Sequence, residues 1–356
     1  MNFSRERRRC GSLDILKLIL AYGIAFFHLG QPIPPGPTVS VQVFFLISGF
    51  FLARKFYARS YPDPEGYTAW KYTLDHIKTL YPHYLFSLAA MFLYDLARDL
   101  LYLILDPSLG KLSDIIQDAY YQIPDLFLLQ SSYRFHESLN YPLWQLSALL
   151  IAGYFLYALL CRDEKLARRI LFPGGILMIL SLLNTGIDLW ANYGPLYLPL
   201  LRAVCPMCVG ILTYCFTGTE LYQKLTRYRT AGNIASILCL LSLFVYADRA
   251  GIFLITVPIL ILVCWNEDSW LSRLSDRPWS RFAGKFSYAV YLNHALIARF
   301  TVAVLITNAQ KIGLLTESWQ QGLTFFLLLT AYSAVTVTLV GRWTKKRVPV
   351  KSSRRG

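Results

Sequence analysis

Three ionisable side chains, Asp14, Lys17 and His28, stand in an otherwise apolar run that begins at Leu13 and is long enough to cross a bilayer. A charge at mid-membrane costs roughly 2.5–3.5 kcal/mol on insertion scales, so such residues usually face a polar cavity or bundle interior and mark a working site. Lys17 and His28 are 11 positions apart, which at about 100° per residue is nearly three whole turns and about 16 Å of rise. They therefore share one stripe of a helix, and Asp14, three residues before Lys17, lies close to it. The three types suit a division of labour. An imidazole with a pKa near 6.5 is a base for neutral pH, a lysine attracts a phosphate or carbonyl oxygen, and a carboxylate holds that lysine charged and oriented.

The elements that must carry this seam are membrane helices. The chain has 356 residues, 55% hydrophobic and 16% charged, with mean hydropathy +0.41, against about 25% charged for a soluble domain. An all-α polytopic bundle of about ten transmembrane helices is expected, at 13–31, 38–57, 79–104, 141–161, 169–186, 196–216, 231–247, 250–265, 284–307 and 320–341. The pair at 231–247 and 250–265 needs a tight turn around Asp248. The third span holds Asp95, Arg98 and Asp99, and its second half is expected to leave the membrane. The long segment 105–140 is expected to carry a short amphipathic helix at Leu112–Tyr121 over the mouth of the bundle.

The net charge of +14 would suit a nucleic-acid binder, but the basic residues are spread over the segments between apolar runs, as in cytoplasmic loops, and nucleic acid is excluded as a partner. With both termini cytoplasmic, most of the 35 Lys and Arg residues fall on the cytoplasmic side. Three regions follow: a basic N-terminus (1–12), a membrane domain (13–341) and a basic tail (342–356). The N-terminal run reads as an uncleaved first span of a multi-pass plasma-membrane protein. Cys205-Pro206-Met207-Cys208 has redox-motif spacing but sits in a hydrophobic span, and its cysteines read as small packing residues. No metal site is expected.

The runs Leu13-Asp14-Ile15-Leu16-Lys17 with His28, and Val43-Phe44-Phe45-Leu46-Ile47-Ser48-Gly49-Phe50, resemble the opening of the acyltransferase 3 family of integral membrane O-acyltransferases. Leu143-Trp144-Gln145-Leu146-Ser147-Ala148-Leu149, Arg202 to Gly210, and Phe286-Ser287-Tyr288-Ala289-Val290-Tyr291-Leu292-Asn293-His294 extend the resemblance, in order, over nearly the whole chain. Two departures stand out. The family's first-span Arg is Lys17, which keeps the charge but loses the bidentate fork. A basic Arg-x-x-Arg pair, implicated in handling the acyl donor, is replaced by His76-Ile77-Lys78.

The resemblance implies transfer of an acyl group, most simply acetyl, from acyl-CoA to a hydroxyl of a cell-surface saccharide, glycopolymer or lipid-linked precursor. Acyl-CoA is a co-substrate and no cofactor is implied. His28 is then the candidate base, assisted by Lys17 and Asp14. Ser48, His76, Lys78, Trp144, Arg202, Tyr288, Tyr291 and His294 are candidate substrate contacts. Read alone, Ser48–Gly49 is a helix-packing pair, Trp144 an aromatic-belt residue, and Arg202 an interface anchor. Direct transfer and an acyl-His intermediate both remain open. A transporter or flippase for a polysaccharide or lipid intermediate is the competing reading, since such proteins also use intramembrane Lys, His and Arg. No inverted repeat supports it. A scaffold that has lost catalysis is a third.

Overall fold

The computed structural model describes residues 10–58, 68–105, 112–131, 138–184, 192–193, 196–245, 251–266, 268–273 and 277–346. The basic stretch before Cys10, the turn around Asp248 and the tail beyond Lys346 lie outside the described residues. The helices in order are α1 (Gly11–His28), α2 (Pro37–Tyr57), α3 (Ala69–Leu105), α4 (Leu112–Leu126), α5 (Trp144–Arg162), α6 (Glu164–Leu166), α7 (Phe172–Asn184) and α8 (Leu198–Thr217). They continue as α9 (Glu220–Leu225), α10 (Arg229–Val245), α11 (Phe253–Trp265), α12 (Trp270–Arg273), α13 (Pro278–Phe300), α14 (Thr307–Lys311) and α15 (Ser318–Lys346). A 3₁₀ turn at Tyr141–Leu143 leads into α5, and π-helical stretches at Ala167–Leu171 and Thr301–Ile306 precede α7 and follow α13. A two-residue antiparallel pairing sets Asn192 against Tyr197 and Tyr193 against Leu196.

Local chemistry accounts for several boundaries. Gly36 takes φ +80° and Pro37 opens α2, a placement that suits proline's fixed φ and missing N–H. Pro278 opens α13 in the same way. The Asp163 carboxylate caps α6 by accepting from the Leu166 amide at 2.9 Å, and the Thr219 hydroxyl caps α9 by accepting from the Tyr222 amide at 3.2 Å.

Each of the ten expected spans contains a helix among its described residues, and six stretches are long and apolar enough to cross a membrane: Gly11–His28, Pro37–Tyr57, Tyr141–Arg162, Pro199–Thr217, Phe282–Lys311 and Ser318–Thr344. The helices α10 and α11 are apolar but shorter. Two elements differ from expectation. The helix α3 runs for 37 residues from Ala69, because Tyr72 is buried by stacking on Tyr157 of α5 with ring centroids 4.4 Å apart. The helix α4 continues to Leu126, beyond the expected Tyr121. Its C-terminal end is tied to the middle of α3, where the Tyr81 hydroxyl donates to the Leu126 carbonyl at 2.9 Å and the Tyr84 hydroxyl to that of Asp125 at 2.5 Å.

Two glycine-mediated contacts set the packing. A Cβ on Gly49 of α2 would overlap the Met207 carbonyl of α8, and a Cβ on Gly210 of α8 would overlap the Leu46 carbonyl of α2. The two backbones therefore touch, as small residues permit in membrane helices. Between α13 and α1, a Cβ on Gly284 would come 2.6 Å from Cγ of Asp14. The bare glycine makes room for that carboxylate inside the bundle.

Candidate active site

The helix α1 is continuous from Gly11 to His28, so Lys17 and His28 share a stripe about 16 Å long. At its N-terminal end Asp14 Oδ1 lies 3.7 Å from Lys17 Nζ. The lysine sits 5.1 Å from the centroid of Phe51, and Arg54 lies 5.8 Å from the same ring and 5.3 Å from that of Trp265. This end is thus a cation–aromatic cluster built from α1, α2 and α11.

At the other end of α1, His28 Nδ1 is 2.9 Å from the Tyr141 hydroxyl. The rings of His28 and His294 are stacked, with centroids 5.1 Å apart and planes 23° apart. His294 is fully buried, and its Nδ1 is 2.5 Å from the Tyr291 carbonyl oxygen. A carbonyl only accepts, so Nδ1 carries the hydrogen, and neutral His294 keeps its lone pair on Nε2. That nitrogen has no hydrogen-bonding partner among the described residues.

A cavity of about 340 Å³ opens beside His28, lined also by Tyr94, Arg98, Tyr141, Arg299 and Val302. Asp95, 1% exposed, braces it from behind, with Oδ1 2.9 Å from Arg98 Nη1 and Oδ2 3.1 Å from Arg299 Nη1. Arg98 Nε also bonds Asp99 at 2.7 Å, and Arg299 Nη2 donates to the Leu139 carbonyl at 3.1 Å. This pairing lets α3 remain helical through its charged stretch, and it joins α3 to α13. Replacing Asp95 by Asn removes the charge from both pairs while keeping the volume. The expected loss is about 1–2 kcal/mol, below the full value for charge-assisted bonds because both guanidiniums are partly exposed. Thermal unfolding of the detergent-solubilised protein measures it, and an unchanged midpoint would show that the brace carries no stability.

Of the residues expected from sequence, His28 lines the cavity, and His294 and Tyr291 lie directly behind it. The Tyr291 hydroxyl donates to the carbonyl of Pro142, next to Tyr141. The Tyr288 hydroxyl donates to the Leu80 carbonyl at 3.2 Å. The Ser48 hydroxyl donates to its own helix at Phe44, 2.7 Å away, which leaves it a back-bonded helix residue. Trp144 and Arg202 form a separate buried pair, with the guanidinium 5.8 Å from the ring centroid. His76 stacks on Tyr72 at 4.4 Å and donates from Nδ1 to its carbonyl at 3.1 Å. Lys78 is exposed on α3. Among the described residues no group of three side chains could hold a metal ion.

Tyr141, Tyr94, Arg98, Arg299 and the Asp95 brace were missed as site residues. The i,i+3 spacing of Asp95 and Arg98 was a visible sign of a pair, but the third member stands 204 positions away from Asp95.

The architecture is that of a helical membrane protein with an imidazole facing a cavity at one end of a helix and a lysine–carboxylate pair at the other. The chain belongs to the acyltransferase domain family, whose model matches residues 11–341. Among curated proteins it is similar to two named "Putative O-acetyltransferase" from Staphylococcus aureus, strains COL and MSSA476, each 22% identical over 319 residues. The match covers 83% of this chain and 52% of each relative, so the chain spans about half the length of the curated relatives it matches. No solved structure gives a significant match.

Proposed function

We propose that this protein is a plasma-membrane O-acyltransferase that moves an acyl group, most simply acetyl, from acyl-CoA to a hydroxyl of a cell-surface saccharide, glycopolymer or lipid-linked precursor. The observation that carries the reading is His28, a histidine inside an apolar helix that faces a cavity with room for a substrate group. The family membership and the names of the relatives support the reaction class. The charge distribution supports cytoplasmic termini and about ten spans, which puts Lys17 near the cytoplasmic face and His28 near the outer one. Acyl-CoA is polyanionic, and a basic cytoplasmic face raises its local concentration.

In direct transfer, His28 takes the proton of the acceptor hydroxyl as its oxygen attacks the thioester carbonyl. The new C–O bond forms, the C–S bond breaks, and the proton passes to the departing thiolate of coenzyme A. Lys17, held by Asp14, attracts a phosphate of the donor. His76, Lys78, Ser48, Trp144, Arg202 and Tyr288 are further candidate contacts in this reading, away from the cavity lining, and Tyr291 and His294 support the wall behind His28.

The test is transfer of label from radiolabelled acetyl-CoA into the cell envelope by membranes carrying the full chain. Lys17→Ala is expected to raise the KM for acetyl-CoA about tenfold with a smaller change in kcat, as expected when ground-state and transition-state binding are lost together. No label above background with correctly inserted wild-type protein would reject the acyltransferase reading, and movement of an unmodified glycan or lipid would then favour transport.

A further inference from the structure

We infer that Tyr141 is a positioning residue for the reaction. Its phenol oxygen accepts the Nδ1 hydrogen of His28 and so holds the imidazole in the tautomer that leaves Nε2 ready to take a proton. This rests on the reading of His28 as the base.

The contact is direct, at 2.9 Å between the hydroxyl and Nδ1, and the two rings meet edge to face with centroids 4.9 Å apart. Both residues line the same cavity. A neutral imidazole carries one hydrogen, on one nitrogen or the other. If Tyr141 donates to Nδ1, the hydrogen sits on Nε2 and that nitrogen cannot accept. If Nδ1 donates to Tyr141, Nε2 bears the lone pair. Once His28 has taken a proton both nitrogens are N–H, so the phenol oxygen has to be the acceptor at that stage. A hydroxyl can switch between these roles by turning its O–H, without moving either ring.

The setting of Tyr141 is that of a fixed support. It opens the 3₁₀ turn Tyr141–Leu143, a short connector that packing holds on both sides. On one side, the Asn140 amide donates to the Ser87 hydroxyl at 3.3 Å and to the Leu292 carbonyl at 3.4 Å. On the other, the Pro142 carbonyl accepts from the Tyr291 hydroxyl. Two helices, α3 and α13, thus hold the turn that places one phenol against one ring nitrogen. His294 packs on the face of His28 and its Nδ1 is committed to a carbonyl, so the hydrogen bond with Tyr141 is what orients His28 in its own plane.

The experiment compares wild type, Tyr141→Phe, Tyr141→Ala and His28→Ala in membranes, following acetyl transfer from labelled acetyl-CoA across pH, with each variant's amount measured by size-exclusion profile in detergent. Tyr141→Phe keeps the ring and removes the oxygen. It is expected to lower kcat by roughly tenfold to a hundredfold through lost orientation, with the KM for acetyl-CoA within about twofold. It is also expected to change the shape of the pH profile, because the phenol oxygen bonds the imidazolium that forms during the step. Wild-type rate and pH profile in Tyr141→Phe, with His28→Ala inactive, would overturn the inference and leave the reading of His28 standing. The same result with only Tyr141→Ala impaired would assign Tyr141 to packing and also overturn it. Activity retained in His28→Ala would remove the base itself and the inference with it.

Discussion

Replacing His28 by alanine is expected to lower acetyl transfer by about 10²–10⁴-fold, the usual contribution of a positioned general base, while the protein inserts and folds as before. Alanine suits a helix interior, and the lost ring borders an existing cavity rather than a packed core. Apart from the contacts of His28 with Tyr141 and His294, the neighbouring elements are held by bonds that do not pass through it. Asn140 bonds Ser87 and Leu292, and Tyr291 bonds Pro142. The loss should fall on kcat and on kcat/KM alike, with the KM for acetyl-CoA nearly unchanged, because proton removal is a need of the transition state. Labelled acetyl incorporation by membranes with matched protein levels measures it. Wild-type incorporation would remove His28 from the reaction and leave the cavity beside it without its proposed chemistry.

Gly210→Ala is expected to be strongly destabilising. The added Cβ would overlap the Leu46 carbonyl and approach the Phe50 amide nitrogen at 2.8 Å. Both are backbone atoms that cannot rotate away, so α8 has to move off α2. Overpacking of this kind costs about 1–3 kcal/mol where side chains can adjust, and a backbone-to-backbone clash falls at or above the top of that range. Gly175→Ala in α7 is the control, since nothing lies within 4 Å of the Cβ it would add. There the helix should gain about 0.5–1 kcal/mol from the better helix former. The two variants are expected to shift the thermal midpoint in detergent in opposite directions, with Gly210→Ala also losing folded protein. Equal midpoints for wild type and Gly210→Ala would mean that α2 and α8 are not in backbone contact.

The sequence alone determined the class of fold and one end of the chemistry. Apolar runs of membrane length can only be helices, because lipid offers the backbone no hydrogen bonds. Ionisable residues within them stand out because lipid penalises them. Asp14, Lys17 and His28 were therefore legible from type and spacing, and helix geometry alone put them on one stripe. The family resemblance rested on the same local runs, which is why it brought out Gly49, Tyr291 and His294 as well.

Tertiary structure decided what those residues touch. Tyr141 reaches His28 across 113 positions from a 3₁₀ turn whose sequence, Tyr-Pro-Leu, carries no sign of a site. Arg299 meets Asp95 across 204, and in the sequence each looks like an ordinary interfacial charge. That Lys78 is an exposed side chain and that the Ser48 hydroxyl bonds its own helix is likewise a matter of surroundings that residue type and motif do not specify. The physical reason is that helical periodicity specifies which face a residue occupies but not which helix that face meets. In this protein the meeting is set by places where a missing side chain lets the opposing helix approach, backbone to backbone at Gly49 and Gly210 and backbone to the Asp14 carboxylate at Gly284. The consequences of a missing side chain are visible only once the opposing helix is in place.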